Sequence, residues 1–413
     1  MLDNNPHQGY NARQMKKISI VIIGGGGAGI LAAISAARKS ADVLIAERMA
    51  ILGKKVLASG AGRCNLLNET LNASFYNPEA AEMVEQVFSR FGKEDILSFF
   101  RDLGLWTSAE EDGRIFPITD KALTLMELLQ AELSRLNVQT VLNCHVQSIR
   151  FSGGRFLLET NHKSISADRV ILAAGGQSYP MLGSDGSGFK LAQDFGHRII
   201  QPVPATVPLV SQDVWCRVLE GQKIRGRARA LIESKEATPW IEGDILFTKY
   251  GLSGTAILDV SDPISVAINR PPAKKVSVAL DFIPFLDEAS LLREFERRIA
   301  RGMTGSSLVA GLLPPKFALV LKDFLLPDKI RQLAGILKNR IFYISETKGW
   351  NEAEFTAGGV DISEINPATF ESKKQKGLYL CGEVLDVNGR RGGYQLAWAW
   401  ASGYLTGISA AKQ

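Results

Sequence analysis

The chain has 413 residues, more than one compact core accommodates, and its 46% hydrophobic and 22% charged residues are ordinary for a folded globular protein. The 48 Lys and Arg against 43 Asp and Glu are spread along the sequence, so nucleic acid is not implied as a partner. No apolar run approaches the ~20 residues of a membrane span. Residues 1–17 are polar, without the apolar core of a signal peptide, and read as a loose tail. Cys64, Cys144, Cys216 and Cys381 form no Cys-x-x-Cys pair and the four histidines are scattered, so neither a metal nor a dithiol is expected and the chain suits a reducing cytoplasm.

Taken in chain order, residues 18–23 are an apolar strand, 24–29 a glycine loop, 30–39 an Ala-rich helix and 42–47 a second strand. This is a β-α-β unit of the length that the dinucleotide fingerprint requires. Residues 53–68 read as a loop rich in Gly, Lys and Asn. Amphipathic helices follow near 78–91, 93–103 and 123–136. Strands of a meander occupy 139–150 and 155–160, and 169–174 is a buried parallel strand. Composition changes near residue 201, after which 206–210, 216–220, 227–234, 256–260 and 275–281 read as strands and 287–302 and 316–338 as helices. Lys223, Arg225, Arg227 and Arg229 alternate, which puts four cations on one strand face. That face suits a solvated edge better than a phosphate patch. From about 355 the pattern returns to strand, glycine loop and helix. The expected organisation is therefore a nucleotide domain over 18–200 and 355–413, a β-rich insert over 201–285 and 339–354, and a helical subdomain over 286–338.

Three sites carry chemistry. In the loop Gly24-Gly25-Gly26-Gly27-Ala28-Gly29, Gly24 permits the tight turn, Gly26 lets a pyrophosphate approach the backbone, and Gly29 lets the helix pack closely. Glu47 lies 23 residues beyond Gly24, where a carboxylate accepts bonds from a free adenosine ribose and repels a 2′-phosphate, favouring FAD or NAD over NADP. The second site is Gly53-Lys54-Lys55 through Gly60-Ala61-Gly62-Arg63-Cys64-Asn65, a loop able to wrap a pyrophosphate or a ring edge. The third is Cys381-Gly382-Glu383 with Gly392-Gly393-Tyr394-Gln395, where a strand enters a glycine turn and a second helix N-terminus is offered to an anion. Cys64 suits packing better than redox chemistry, and Trp398 and Trp400 read as core or domain-interface residues.

Together these blocks resemble the BaiN/YhiN-type flavoproteins, described as NAD(P)/FAD-dependent or aminoacetone-oxidase-like oxidoreductases. Gly113-Arg-Ile-Phe-Pro, Phe247-Thr through Gly251-Leu-Ser-Gly-Thr and Phe355-Thr-Ala-Gly-Gly-Val agree as well. Gln395 and Lys249 depart from the family pattern. The resemblance implies an α/β fold: a glutathione-reductase-like FAD-binding Rossmann domain with a β-barrel-like insert and a small helical domain. It implies that Gly24, Gly26, Gly27, Ala28 and Gly29 hold the pyrophosphate and Glu47 the ribose. Gly60, Gly62, Arg63, Cys64 and Asn65 would line the flavin side, and Val146 would meet the adenine through its backbone. Ala174 and Gly175 would close over the nucleotide, Gly382 and Glu383 would face the ribityl chain, and Gly393, Tyr394, Gln395 and Leu396 would face the isoalloxazine. Arg48 and Lys54 complete the cofactor-binding candidates; no residue is singled out as catalytic. The expected function is FAD-dependent oxidation and reduction of a small molecule, with NAD(P)H as a transient donor. An oxygen-using oxidase of an amine or ketone is the alternative within the enzymes. A flavin-binding or nucleic-acid-associated regulatory protein is the alternative outside them.

Overall fold

The computed structural model describes residues 18–412, and the expected tail over 1–17 lies outside them. Strand β1 (Ile18–Ile23) is apolar at almost every position because it is covered on both faces, as parallel strands are. It runs parallel to β2 (Val43–Ala46), with Ile20 opposite Val43 and Ile22 opposite Ile45. On its other side it runs parallel to Ile165–Leu172. Gln139–Val141 extends the sheet beyond β2. Leu378–Leu380 pairs in parallel with the last part of Ile165–Leu172, beside the antiparallel meander of Val146–Ser152 and Arg155–Thr160. One sheet thus takes strands from both ends of the chain.

Helix α1 (Gly27–Ala37) is buried at all but its last residue. It lies between the sheet and the C-terminal helix Tyr394–Ala411, which explains why its sequence is apolar all round. The two helices meet on small residues. A Cβ at Gly403 would stand 2.2 Å from the Ala28 carbonyl oxygen, and one at Gly407 would stand 2.2 Å from that of Ala32. Trp398 and Trp400 are fully buried on the same helix, their indole N–H groups donating to Gly382 O (3.1 Å) and Leu66 O (3.0 Å).

The second core belongs to an antiparallel sheet in which Lys223–Ile232 pairs with both Ile241–Thr248 and Val276–Asp281. Arg340–Ile344 ends this sheet on one side and Glu346–Thr347 ends it on the other, yet only Ser345 separates them in sequence. The sheet therefore curls back on itself, which gives the barrel-like form. The helices Glu288–Ala300, Phe317–Leu321 and Ile330–Lys338 share its core. Phe317 packs against Phe247 and Phe282, each with ring centroids 5.7 Å away.

The chain leaves the first sheet along Ile199–Ala205 and returns along Phe355–Val360, and these two strands pair with each other antiparallel. Exit and return are thereby tied at one seam.

Three expected elements take another form. Residues 216–218 end the helix Val214–Val218, with 219–220 in the turn after it, and 256–260 lie within the helix Thr255–Asn269. Ala256, Ile257, Val260, Ser261, Ile264 and Ser265 are buried at helical spacing; the four apolar residues of 256–260 are too few to reveal that period. The expected loop over 53–68 contains a short helix, α2 (Lys54–Gly62), broken at Ser59–Ala61 where Gly60 and Ala61 turn left-handed.

Candidate functional site

A cavity of about 1660 Å³ runs from the glycine loop to the curled sheet. Sites for drug-sized molecules are roughly 300–1,000 Å³, so this one has room for a dinucleotide and a second molecule.

At one end, the loop after β1 delivers Gly24, Gly26, Gly27 and Ala28 to the cavity wall. Gly24 has φ +103°, closed to most side chains, and its missing Cβ would strike the Ala173 carbonyl oxygen at 2.5 Å. A Cβ on Gly26 would meet nothing within 4 Å, so this residue opens into free space. Helix α1 has no side-chain cap, which leaves the N–H groups of its first turn without partners in the helix. This cradle fits a pyrophosphate. Gly29 stands behind the wall: a Cβ there would lie 1.9 Å from Gly24 O, so its role is close packing.

Glu47 is nearly buried and already engaged. Its Oε2 accepts from Gly25 N (2.6 Å) and its Oε1 from Met49 N (2.7 Å), fixing the loop to the end of β2. A carboxylate has about four acceptor positions, so it retains capacity for ribose hydroxyls. Val146, Ala174 and Gly175 line the same end. Arg48 pairs with Asp185, and Lys54 Nζ donates to Met181 O (3.0 Å).

The middle of the cavity is formed by Gly60, Arg63, Asn65 and Glu383 with the start of the C-terminal helix. The Arg63 guanidinium lies 4.0 Å from the Phe116 ring centroid and is paired to Glu110 (2.8 Å) and Asp120 (2.6 Å). Asn65 accepts from Gly393 N (2.9 Å) while donating to Leu67 O (3.1 Å). Glu383 is held by Lys55 Nζ (2.9 Å) and Thr356 N (3.0 Å), and Lys55 also donates to Ser178 Oγ (2.9 Å). Gly393, Tyr394, Gln395 and Leu396 line the wall, and here too the helix begins at a glycine with no side-chain cap. Tyr394 is a packing residue: it stacks on Phe75 at 4.4 Å and its carbonyl accepts from Tyr76 Oη (2.6 Å). Gln395 Oε1 accepts from Gly389 N (2.7 Å), shaping the turn before the helix.

Three further candidates do not line the cavity. Cys64 is fully buried and its thiol is pushed up to about 12 by that burial, so it is neither a wall residue nor a nucleophile. Gly62, with φ +86°, serves the turn behind it. Gly382 packs on Ala28, 2.8 Å from where its own Cβ would stand.

The far end carries a cluster that sequence reasoning missed, because its members come from three distant segments. Arg391 Nη1 lies 3.4 Å from Asp259 Oδ1, and its Nε lies 3.2 Å from Glu354 Oε2. Burial raises the Asp259 carboxyl against the pull of Arg391 and Arg390. Burial also raises Glu354, and the charge of Asp259 adds to that rise against Arg391. Burial opposes the charge on Arg391 itself, but the two carboxyls outweigh it. The two acids sharing this cation thus hold their protons to higher pH than free carboxyls do. Tyr179, in a left-handed conformation with φ 51°, lines the cavity beside them; burial raises its hydroxyl, and Glu354 and Glu352 raise it further. Pro263 has no N–H, so the Asp259 carbonyl lacks its helical donor. Lys249, the other departure from the family pattern, does not line the cavity.

The cationic strand face is not a bare patch. Lys223 pairs with Asp244 (3.2 Å), Arg225 with Glu242 (2.9 Å) and Arg229 with Glu236, while Arg227 donates to Pro284 O (2.6 Å). No helix among the described residues is long and apolar enough to cross a membrane.

Comparison with known proteins matches residues 18–409 to the family model described as HI0933-like protein Rossmann domain. A 3-dehydro-bile acid delta(4,6)-reductase of Clostridium scindens is 36% identical over 409 residues, covering 95% of this chain and 99% of that protein. A ribosomal RNA dihydrouridine synthase of Haemophilus influenzae is 29% identical over 411 residues, covering 95% and 98%. A flavocytochrome c3 fumarate reductase in its open conformation shares the fold, with a TM-score of 0.50 and 16% identity over 96% of this chain and 78% of that one. The chain belongs to the HI0933-like Rossmann family and is a flavin-dependent oxidoreductase of it.

Proposed function

We propose that this protein binds FAD and reduces a carbon–carbon double bond conjugated to a carbonyl, with NAD(P)H as a transient electron donor. The observation that carries the reading is one cavity joining an uncapped phosphate cradle to two carboxyl groups, Asp259 and Glu354, gathered on Arg391. Bound FAD supplies hydride chemistry at its ring. The first-turn N–H groups of α1 hold the pyrophosphate, and Glu47 adds the ribose hydroxyls to its two backbone bonds. The N-terminus of Tyr394–Ala411 offers N–H groups and positive dipole to negative charge in the middle of the cavity. Asp259 and Glu354 hold the proton that saturation of such a bond requires, and Arg391 keeps them together.

The names of the relatives support the same chemistry. A delta(4,6)-reductase of a 3-dehydro-bile acid and a synthase of dihydrouridine both saturate a double bond conjugated to a carbonyl. The second name also favours a variant reading in which the acceptor is a uracil ring within RNA. The paired cations of Lys223–Ile232 offer that reading no bare basic face.

The test is anaerobic. FAD-loaded protein is mixed with NADH or NADPH, and the flavin absorbance is followed; a 4,6-dien-3-one steroid is then added. Bleaching followed by recovery of the oxidised spectrum supports the proposal. Recovery with oxygen alone would make the protein an oxidase.

A further inference from the structure

The cavity wall carries eight Lys and Arg side chains, and seven of them have a polar partner. Arg48, Lys55, Arg63, Arg114, Arg225 and Arg391 are ion-paired, and Lys54 donates to a carbonyl. Arg390 is the exception. Its guanidinium lies over the Phe75 ring, 5.7 Å from the centroid, and among the described residues makes no ion pair or side-chain hydrogen bond.

Its backbone is nonetheless firmly placed. Arg390 N donates to Phe75 O (2.9 Å), Gly389 N is held by Gln395, and Arg391 is fixed between two acids. The position is therefore rooted while the charge is unspent. Asp259 is already bonded to Arg391 and feels Arg390 only as a field. Asp112, also on the wall, is paired with Arg114 (2.7 Å). A guanidinium in this setting concentrates anions at the cavity and can bind a carboxylate or phosphate through two parallel bonds.

We propose that the substrate of this cavity carries an anionic oxygen group, a carboxylate or a phosphate, and that Arg390 receives it and so sets the substrate class. This rests on the enone-reductase reading. It adds that the reducible bond belongs to an anion, whose charge docks beside the Asp259–Arg391–Glu354 cluster.

The test measures equilibrium binding to the oxidised FAD-loaded protein through perturbation of the flavin spectrum. One pair of probes is 3-oxo-chol-4-en-24-oic acid and its primary amide; a second is uridine 5′-monophosphate and uridine. The expected result is that the wild type binds the charged member of one pair about tenfold more tightly, as a charge-assisted bond warrants. The responding pair distinguishes a carboxylate from a phosphate source. In Arg390→Gln the preference falls to near one, and in Arg390→Lys part of it returns. Equal binding of charged and neutral probes by the wild type, or binding of no charged probe, overturns the proposal. A preference that survives Arg390→Gln while FAD affinity falls also overturns it, since Arg390 would then serve the cofactor. Reoxidation of the reduced protein by uncharged cyclohex-2-enone reports separately on the enone reading. If that succeeds while the charge preference is absent, only the role of Arg390 fails.

Discussion

Cys64 and Asp259 show burial acting on single residues in one direction, against the charged form. All four cysteines are free and buried, and burial pushes Cys64, Cys216 and Cys381 up to about 12, so almost no thiolate exists at neutral pH. The folded protein is expected to leave an aromatic disulfide reagent unreacted at pH 8 and to react fully only in denaturant. Rapid labelling of a native cysteine would contradict this placement. For Asp259 and Glu354 the same burial favours the neutral acid, and the sign for stability follows. Their folded values lie above the ordinary 3.8 and 4.5, so the folded chain holds more protons than the unfolded chain above that range. Stability then falls as pH rises from about those values through the raised folded ones. Asp262 and Asp386, raised by burial at the same seam, contribute in the same direction, while Arg391 and Arg390 oppose. Asp259→Asn with Glu354→Gln is expected to flatten the decline without abolishing it, as read from urea unfolding at a series of pH values. An unchanged slope would show that these two carboxyls are not protonated in the folded state.

At the scale of elements, the decisive contact is that between α1 and Tyr394–Ala411. A Cβ at Gly407 would also lie 2.1 Å from Ser35 Oγ, so neither Gly403 nor Gly407 has room for a larger residue. Gly403→Val is expected to cost about 3 kcal/mol, the upper range for overpacking, and to weaken FAD binding because α1 carries the phosphate cradle. Urea unfolding and FAD titration of this variant check both effects; wild-type stability would contradict the packing. The pairing was not legible in the sequence, where the two glycines lie in an Ala-rich helix and their partners stand some 370 residues away. The loop after β1 and Glu47 were legible because the β-α-β unit is continuous and each glycine has a local reason. What could not be read was that Glu47 first ties Gly25 and Met49 in place. The helix Thr255–Asn269 was hidden by a short apolar run and by Pro263, which argues against a helix from sequence alone.

For the whole molecule, function depends on long-range closure. The chain exits and returns on paired strands, Ile199–Ala205 and Phe355–Val360. Asp262 extends that tie by bonding Thr206 and, at 3.0 Å, Asn388 Nδ2. This closure brings Asp259, Glu354 and Arg391 to one end of a cavity whose other end is the glycine loop. The composite fold was legible from the matching texture of the two ends of the sequence. The acid cluster was not, since no local pattern marks residues that meet only after closure. The central claim is that this cavity is an FAD site built from both ends of the chain. Its most direct test is titration of flavin-free protein with FAD, followed by absorbance, beside Gly26→Asp, which places a carboxylate where the pyrophosphate approaches. The expected result is saturation at one FAD per chain for the wild type and binding weakened at least about a hundredfold in the variant, from lost room and like-charge repulsion. A wild type that shows no saturable FAD binding, or a variant that binds as tightly, would contradict it.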